Sequence, residues 1–233
     1  MTFRELPLAK TIQKTILTII ALFLLSACET TPVKQATTVW DDPLWQRQYQ
    51  QLKTIEQFQL KGRIGITHPQ DSFSSNFLWQ QQAHNHFDFR LYGAFGQTYA
   101  IMKVTPMIST LDTGDERHFE GTNPEYLLYS ILGWSLPINY LQDWVKGLPT
   151  GISQNNLLIN ADGTLQQLTY QDYVVTYERY AEFQLASAIE GETVATKLPT
   201  KIKILQGDNK VILSNRSWDM NSTTIPTDTK AYQ

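Results

Sequence analysis

Between Phe58 and Val104 the apolar residues fall on alternate positions. Phe58, Leu60, Gly62, Ile64 and Ile66 share one parity, while Gln59, Lys61, Arg63 and Thr67 take the other. A period of two marks a half-buried strand. The turn residues His68-Pro69-Gln70-Asp71 end it, and Phe73, Ser75, Phe77 and Trp79 open the next apolar face. Residues 80–85 read as a turn. Phe87, Phe89 and Leu91 continue the pattern up to Gly93-Ala94-Phe95-Gly96, and Thr98, Ala100, Met102 and Val104 resume it. Further alternating runs lie at residues 164–171, 173–180, 201–206 and 210–218. Short strands at this spacing predict an antiparallel meander that curls into a sandwich or barrel.

Three segments carry a helical period instead. Asp41-Asp42-Pro43 starts one, with acidic residues near its N-terminus and Leu44, Trp45, Tyr49 and Leu52 on its stripe. Asn123-Pro124-Glu125 starts a second, with Tyr126, Leu127, Ile131 and Leu132 apolar and Gly133 as its stop. A third covers residues 137–146, with Leu141 and Trp144 inward. The predicted class is mainly β with inserted helices.

The beginning of the chain has a different logic. Arg4, Lys10 and Lys14 precede an apolar run at residues 15–25, and Leu25-Ser26-Ala27-Cys28 follows at once. The run is short for a membrane-spanning helix, which needs about 20 residues. It fits the core of a secretory signal closed by small residues. Leu-Ser-Ala-Cys also looks like a bacterial lipobox. That likeness implies that Cys28 takes a thioether-linked diacylglycerol, becomes the first residue after cleavage, and is then N-acylated. The sequence has one cysteine, and it stands at the place a lipobox requires. A short anchor with an incidental cysteine is the alternative. Glu29, not aspartate, follows it, which favours the outer membrane over retention at the inner one. The expected organisation is a signal peptide over residues 1–27 and an acylated tether over 28–39. One domain follows over 40–220, then a polar tail over 221–233.

Composition narrows the function. With 19 Lys and Arg against 22 Asp and Glu in 233 residues, the chain has a net charge of −3. It lacks the basic excess of a general nucleic-acid binder. A single cysteine excludes an internal disulfide and any cysteine-rich metal cage. Asp112-Thr113-Gly114 matches the aspartic-protease triplet, but that chemistry needs two such aspartates, and the surrounding residues read as a hairpin turn. His84 and His86 flank Asn85 in a likewise turn-like segment, with no third ligand in view. No nucleophile elbow, zinc-protease helix or phosphate-binding loop is present. No catalytic residue, metal ligand or cofactor is therefore expected beyond a lipid on Cys28. What stands out is apolar surface on one face of a curved sheet. It is either a filled core or the wall of a space under a helical lid, suited to acyl chains.

Several segments together resemble the LolB family of outer-membrane lipoprotein-insertion proteins. They are Trp79-Gln80-Gln81, the strand from Phe87 to Tyr92 with Gly93-Ala94-Phe95-Gly96-Gln97, and Gly133-Trp134-Ser135-Leu136-Pro137-Ile138 followed by Leu141, Trp144 and Gly147-Leu148-Pro149. Leu168-Thr169-Tyr170-Gln171, Val174-Val175-Thr176-Tyr177, Tyr180, Leu198-Pro199 and Trp218 complete the series. The resemblance implies an open antiparallel β-barrel with an α-helical lid over an apolar cavity. It implies an outer-membrane lipoprotein facing the periplasm, which accepts acylated lipoproteins from the periplasmic carrier LolA and inserts them into the membrane. Its partners would be that carrier, the acyl chains of cargo and outer-membrane phospholipid, and it would act as a monomer. Candidate cavity residues are Ile64, Ile66, Phe77, Trp79, Phe89, Leu91, Met102, Leu127, Ile131, Leu141 and Trp144. The loop Gly93, Ala94, Phe95 and Gly96 corresponds to the family's membrane-insertion loop, with Phe95 at the apolar position; the family often has Pro-Leu where this chain has Ala94-Phe95. Lys61, Arg63, Arg90 and Lys103 are candidate charges for meeting the carrier. A structural or adaptor lipoprotein with a filled core is the other reading.

Overall fold

The computed structural model describes residues 34–35, 39–186 and 192–220. The expected signal peptide, Cys28, most of the tether, the whole of the tail and the side chain of Ile131 lie outside the described residues. Among the described residues, twelve strands form one sheet in which every neighbour is antiparallel. They are β1 (Lys34–Gln35), β2 (Phe58–His68), β3 (Asp71–Ala83), β4 (His86–Tyr92), β5 (Thr98–Val104), β6 (Ser109–Thr113) and β7 (His118–Gly121). The second half of the chain adds β8 (Leu157–Ile159), β9 (Leu165–Tyr170), β10 (Tyr173–Ala186), β11 (Thr193–Gln206) and β12 (Asn209–Asp219). The order across the sheet is β1-β8-β9-β10-β11-β12-β2-β3-β4-β5-β6-β7. Two consecutive meanders thus meet where the last strand pairs with β2, along a register running from Lys210–Thr67 to Asp219–Gln59. β7 and β1 are the free edges, so the barrel stays open.

The helical connection between β7 and β8 joins the two halves. It contains α2 (Pro124–Leu132) and α3 (Ile138–Trp144), while α1 (Pro43–Lys53) lies between β1 and β2. The starts of α1 and α2 follow from their caps. The Asp42 carboxylate accepts from the Leu44 and Trp45 amides at 2.9 and 3.1 Å, with Pro43 at the first position. The Asn123 side chain accepts from the Glu125 amide at 2.9 Å, and α2 ends on Gly133 at φ +73°. No helix among the described residues is long and apolar enough to cross a membrane.

Three strand boundaries depart from the sequence expectation. β3 runs through Gln80-Gln81-Gln82 to Ala83 instead of turning at Gln80. β10 and β11 also extend well past the predicted runs, to Ala186 and from Thr193. β6, β7 and β8 are too short, at five, four and three residues, for a period to declare them.

Candidate functional site

The inner face of the sheet is built by register. A row of directly paired residues runs Trp218, Leu60, Trp79, Phe89, Met102, Leu111 and Phe119 across six strand boundaries. The Trp79 ring lies 5.2 Å from Phe87 and 5.5 Å from Phe89, and Phe77 stacks on Phe89 at 5.6 Å and 22°. Gly62 makes room for this cluster. A Cβ there would fall 2.7 Å from the Phe77 ring and 2.4 Å from the Ser214 carbonyl oxygen. The glycine in the Phe58-Leu60-Gly62-Ile64 series is therefore the seat of a ring from the next strand.

Burial divides the predicted cavity residues. Ile64, Phe77, Trp79, Met102, Leu127, Leu141 and Trp144 are buried, whereas Ile66, Phe89 and Leu91 are only half-buried against them. The structure brings Phe77, Trp79, Phe89, Leu91 and Met102 together on β3, β4 and β5. Trp144 belongs to a separate ring group. It stacks on Tyr140 at 5.6 Å and 12°, and its edge meets Tyr170. Lys61, Arg63 and Lys103 sit on the opposite parity, on the outer face and exposed.

Helix α3 crosses the inner face and is fastened to both halves. The buried Gln142 Oε1 accepts from Gln81 Nε2 at 3.0 Å and from the Asn85 amide at 2.9 Å, while its Nε2 donates to Asn85 Oδ1 at 2.8 Å. Gln81 in turn accepts from the Trp79 indole at 2.9 Å. On the other half, the Tyr177 hydroxyl donates to the Trp144 carbonyl at 2.9 Å, and the Tyr173 hydroxyl to the Ser135 carbonyl at 2.8 Å. Burial pushes the Tyr177 phenol well above its usual range, and burial, aided by Asp172 and Glu125, pushes Tyr173 to about 12. Both therefore stay protonated and remain donors. Beyond the helix, Lys146 Nζ donates to the Ile55 carbonyl at 2.8 Å and pairs with Asp143 at 2.9 Å.

Helix α2 is held differently. It packs on β6 and β7 through Leu127, while Tyr126 and Tyr129 face outward. Its Glu125 carboxylate is partly desolvated, which raises its pKa, and accepts from the Asn139 amide.

The loop between β4 and β5 is a tight turn. The Gly96 amide donates to the Gly93 carbonyl at 3.1 Å, and the Gly93 amide to the Gln97 carbonyl at 2.8 Å. Gly96 takes φ +87°, the left-handed region in which glycine carries no steric cost. Arg90 grips the return limb, donating to the Gly96 carbonyl at 3.1 Å and to Thr98 Oγ1 at 3.0 Å. At the apex, Phe95 is 97% exposed.

Sequence reasoning finds the apolar residues and the loop but gives no role to Gln81, Gln142, Tyr177 and Lys146. A polar residue inside an apolar series is their only signal. Among the described residues, no group of three histidine, cysteine or acidic side chains could hold a metal. Asp112 accepts from or shares a proton with His118 Nδ1 at 2.6 Å, on an exposed hairpin.

Comparison with known proteins adds an independent line. The family model described as Outer membrane lipoprotein LolB matches residues 56–218. Outer-membrane lipoprotein LolB of Pseudomonas syringae pv. syringae (strain B728a) is 31% identical over 196 residues, 84% of this chain and 90% of the relative. The protein of that name from Pseudomonas aeruginosa (strain UCBPP-PA14) is 31% identical over 199 residues, 85% of this chain and 92% of the relative. Among solved structures, a DUF1329 family protein from Desulfovibrio piger superposes with a TM-score of 0.48 at 10% identity, covering 84% of this chain and 97% of that one. A LolA superfamily protein from Nitrosomonas europaea gives 0.40 at 11% identity, covering 77% and 94%.

Proposed function

The chain belongs to the LolB family of outer membrane lipoproteins, and from that premise we propose that it accepts acylated lipoproteins from the periplasmic carrier LolA and inserts them into the outer membrane. It is a lipid-anchored outer-membrane lipoprotein of the Lol system, facing the periplasm; in the proposed reading Cys28 carries the lipid. In this reading it works as a monomer and needs no cofactor besides that lipid.

The observation that carries the proposal is the fully exposed Phe95 on a glycine-flanked tip, at one rim of a sheet whose inner face is apolar. A cargo acyl chain left in water costs about 0.8 kcal/mol per methylene. Half-buried Ile66, Phe89 and Leu91 offer it contacts without directional demands, so chains of different length are accepted alike. Leu127 on α2 covers the face when no chain is present, while Leu141 on α3 belongs to the fixed floor. Phe95 then enters the bilayer interface and brings the bound chains to their destination.

The test is Phe95→Glu, followed with an acylated cargo and the carrier. Cargo should leave the carrier yet fail to reach the membrane. Delivery at the normal rate would defeat the assigned role of the loop. The deep burial of Phe77, Trp79 and Trp144 favours a second reading, a structural or adaptor lipoprotein with a filled core. An apolar dye separates the two, since a filled core leaves its fluorescence unchanged.

A further inference from the structure

The strand β3 does not stop where β4 does. β4 ends with Tyr92 paired to Asn76, and β3 continues three residues to Phe73, a rise of about 10 Å at roughly 3.3 Å per residue. The Ser75 hydroxyl still donates to the Tyr92 carbonyl at 2.9 Å there, so this stretch of β3 remains joined to the end of β4. Phe73 therefore stands level with the loop, not beneath it. On the return limb the register slips. Leu91 pairs with Ala100 and Tyr92 with Thr98, which leaves Tyr99 as the extra residue of a bulge. A bulge re-aims its side chain. Here it directs the Tyr99 ring to Phe73, edge to face, with centroids 5.7 Å apart at 76°. The Tyr99 hydroxyl accepts from Gln97 Nε2 at 3.0 Å. A Cβ on Gly93 would meet that amide and that hydroxyl, so the glycine leaves the space the two side chains fill over the loop base.

We infer that Phe73 and Tyr99 are a second membrane contact, seated in the interfacial layer of a bilayer while Phe95 penetrates deeper. The inference rests on the proposed delivery role of Phe95 and extends it. Both rings are 38% exposed, more than a core pair would be. Polarity changes in one direction along the patch: a bare phenyl at the tip, then a phenyl and a phenol, then a hydroxyl and an amide. That is the order in which a bilayer passes from acyl chains to headgroups, and tyrosine favours the boundary. A tip that stands out from its surroundings suits a deformable surface better than a protein socket.

The experiment uses the anchored protein in vesicles of phosphatidylethanolamine and phosphatidylglycerol. One cysteine is introduced at a time, as Phe73→Cys, Phe95→Cys, Tyr99→Cys or Met107→Cys, and labelled with a fluorophore. The native cysteine is occupied by its lipid in the proposed reading. Quenchers are lipids carrying a nitroxide at the headgroup or deep in the acyl chain. Position 95 should be quenched by the deep probe, positions 73 and 99 by the shallow one, and position 107, in the turn at the opposite rim, by neither. Quenching at 95 without quenching at 73 and 99 overturns the inference and leaves the role of Phe95 standing. Absence of quenching at 95 overturns both. Protection of 73 and 99 by the carrier protein instead of lipid makes the pair a protein contact and also overturns it. A Phe73→Ser, Tyr99→Ser double variant with an unchanged thermal midpoint should move the label at 95 to a shallower depth. An unchanged depth counts against the inference.

Discussion

Replacing Lys146 with methionine asks whether α3 is a fixed floor. The ammonium lies 2.9 Å from the Asp143 carboxylate and 2.8 Å from the Ile55 carbonyl, and the two charged side chains are only 7% and 13% exposed. Lys146→Met leaves a nearly dry carboxylate without its cation and a carbonyl without its donor. Removing one member of a buried pair costs about 3–5 kcal/mol. The slight exposure of Asp143 and the retained apolar stem of methionine place this case near the lower end, at about 3 kcal/mol. In a domain of this size that lowers the thermal midpoint by roughly 6–12 °C. Asp143→Leu should cost a similar amount, because it strands the ammonium.

The double variant is the decisive one. Lys146→Met with Asp143→Leu exchanges the ion pair for apolar contact, which is often neutral, so it should lie within about 1 kcal/mol of the parent once the Ile55 carbonyl is counted. Urea unfolding of the four proteins, fitted with a common slope, gives the coupling energy directly. A single variant that loses less than about 1 kcal/mol would show that water reaches the pair. A double variant as weak as the sum of the singles would show that the two residues act separately. Either result refutes the picture of a dry tie holding the end of α3 to the α1–β2 connection.

Gly96→Ala meets no atom within 4 Å, so its whole cost is backbone strain at φ +87°, about 1–2 kcal/mol, visible as a lower melting midpoint. Phe95→Ser should leave the same melt within about 0.5 kcal/mol, because the ring touches almost nothing. Glu125 carries a raised pKa in the folded state because burial disfavours its charge. Its protonated form is thus the one the fold prefers. That contribution is complete below the unfolded value of 4.5 and is lost as pH rises through the higher folded value. Glu125→Gln should flatten that part of the stability curve and leave the protein at least as stable at pH 7, by well under about 1 kcal/mol for a group that is only half-buried. An unchanged pH profile would count against it. Amide exchange should release α2 before α3, given the buried polar ties on α3 and the outward tyrosines on α2. Equal protection of the two helices would refute the assignment of α2 as the moving cover.

Much of the fold is legible as parity. The series from Phe58 to Ile66 and from Thr98 to Val104 names the inner face correctly, because strand side chains alternate. The caps Asp42 and Asn123 are equally plain. Residues 80–83 mislead for a physical reason. Three consecutive glutamines look solvated, but Gln81 is 3% exposed because Trp79 and Gln142 satisfy its amide. That partner lies 61 residues away, beyond any local signal. The pairing of β12 with β2 is hidden for the same reason, since alternation says which face a residue takes and nothing about its neighbour strand. Depth is hidden too. Phe77 and Phe89 carry the same signal, yet one is sealed and the other half-open. The loop is the exception, because paired glycines signal a tight turn: Gly96 supplies its left-handed residue and Gly93 leaves room for the Gln97 and Tyr99 side chains.

Under the proposed function, the half-open part of the inner face would set the direction of delivery. Ile66, Phe89 and Leu91 would hold a chain by area alone, since none has a donor or acceptor to offer. Area that stays wet is free energy left for the next host. If the protein leaves two methylenes of each cargo chain in water, the bilayer binds that chain better by about 1.6 kcal/mol, a factor near 15. Three chains together give about 5 kcal/mol, enough to make insertion effectively irreversible without a nucleotide. A deeper, drier pocket would hold cargo more tightly and release it more slowly. Trimming the face with Leu91→Ala should therefore weaken capture, whereas Leu91→Phe should strengthen it and slow delivery. Cargo retention measured beside transfer to vesicles checks both, and a faster delivery by Leu91→Phe would contradict the argument.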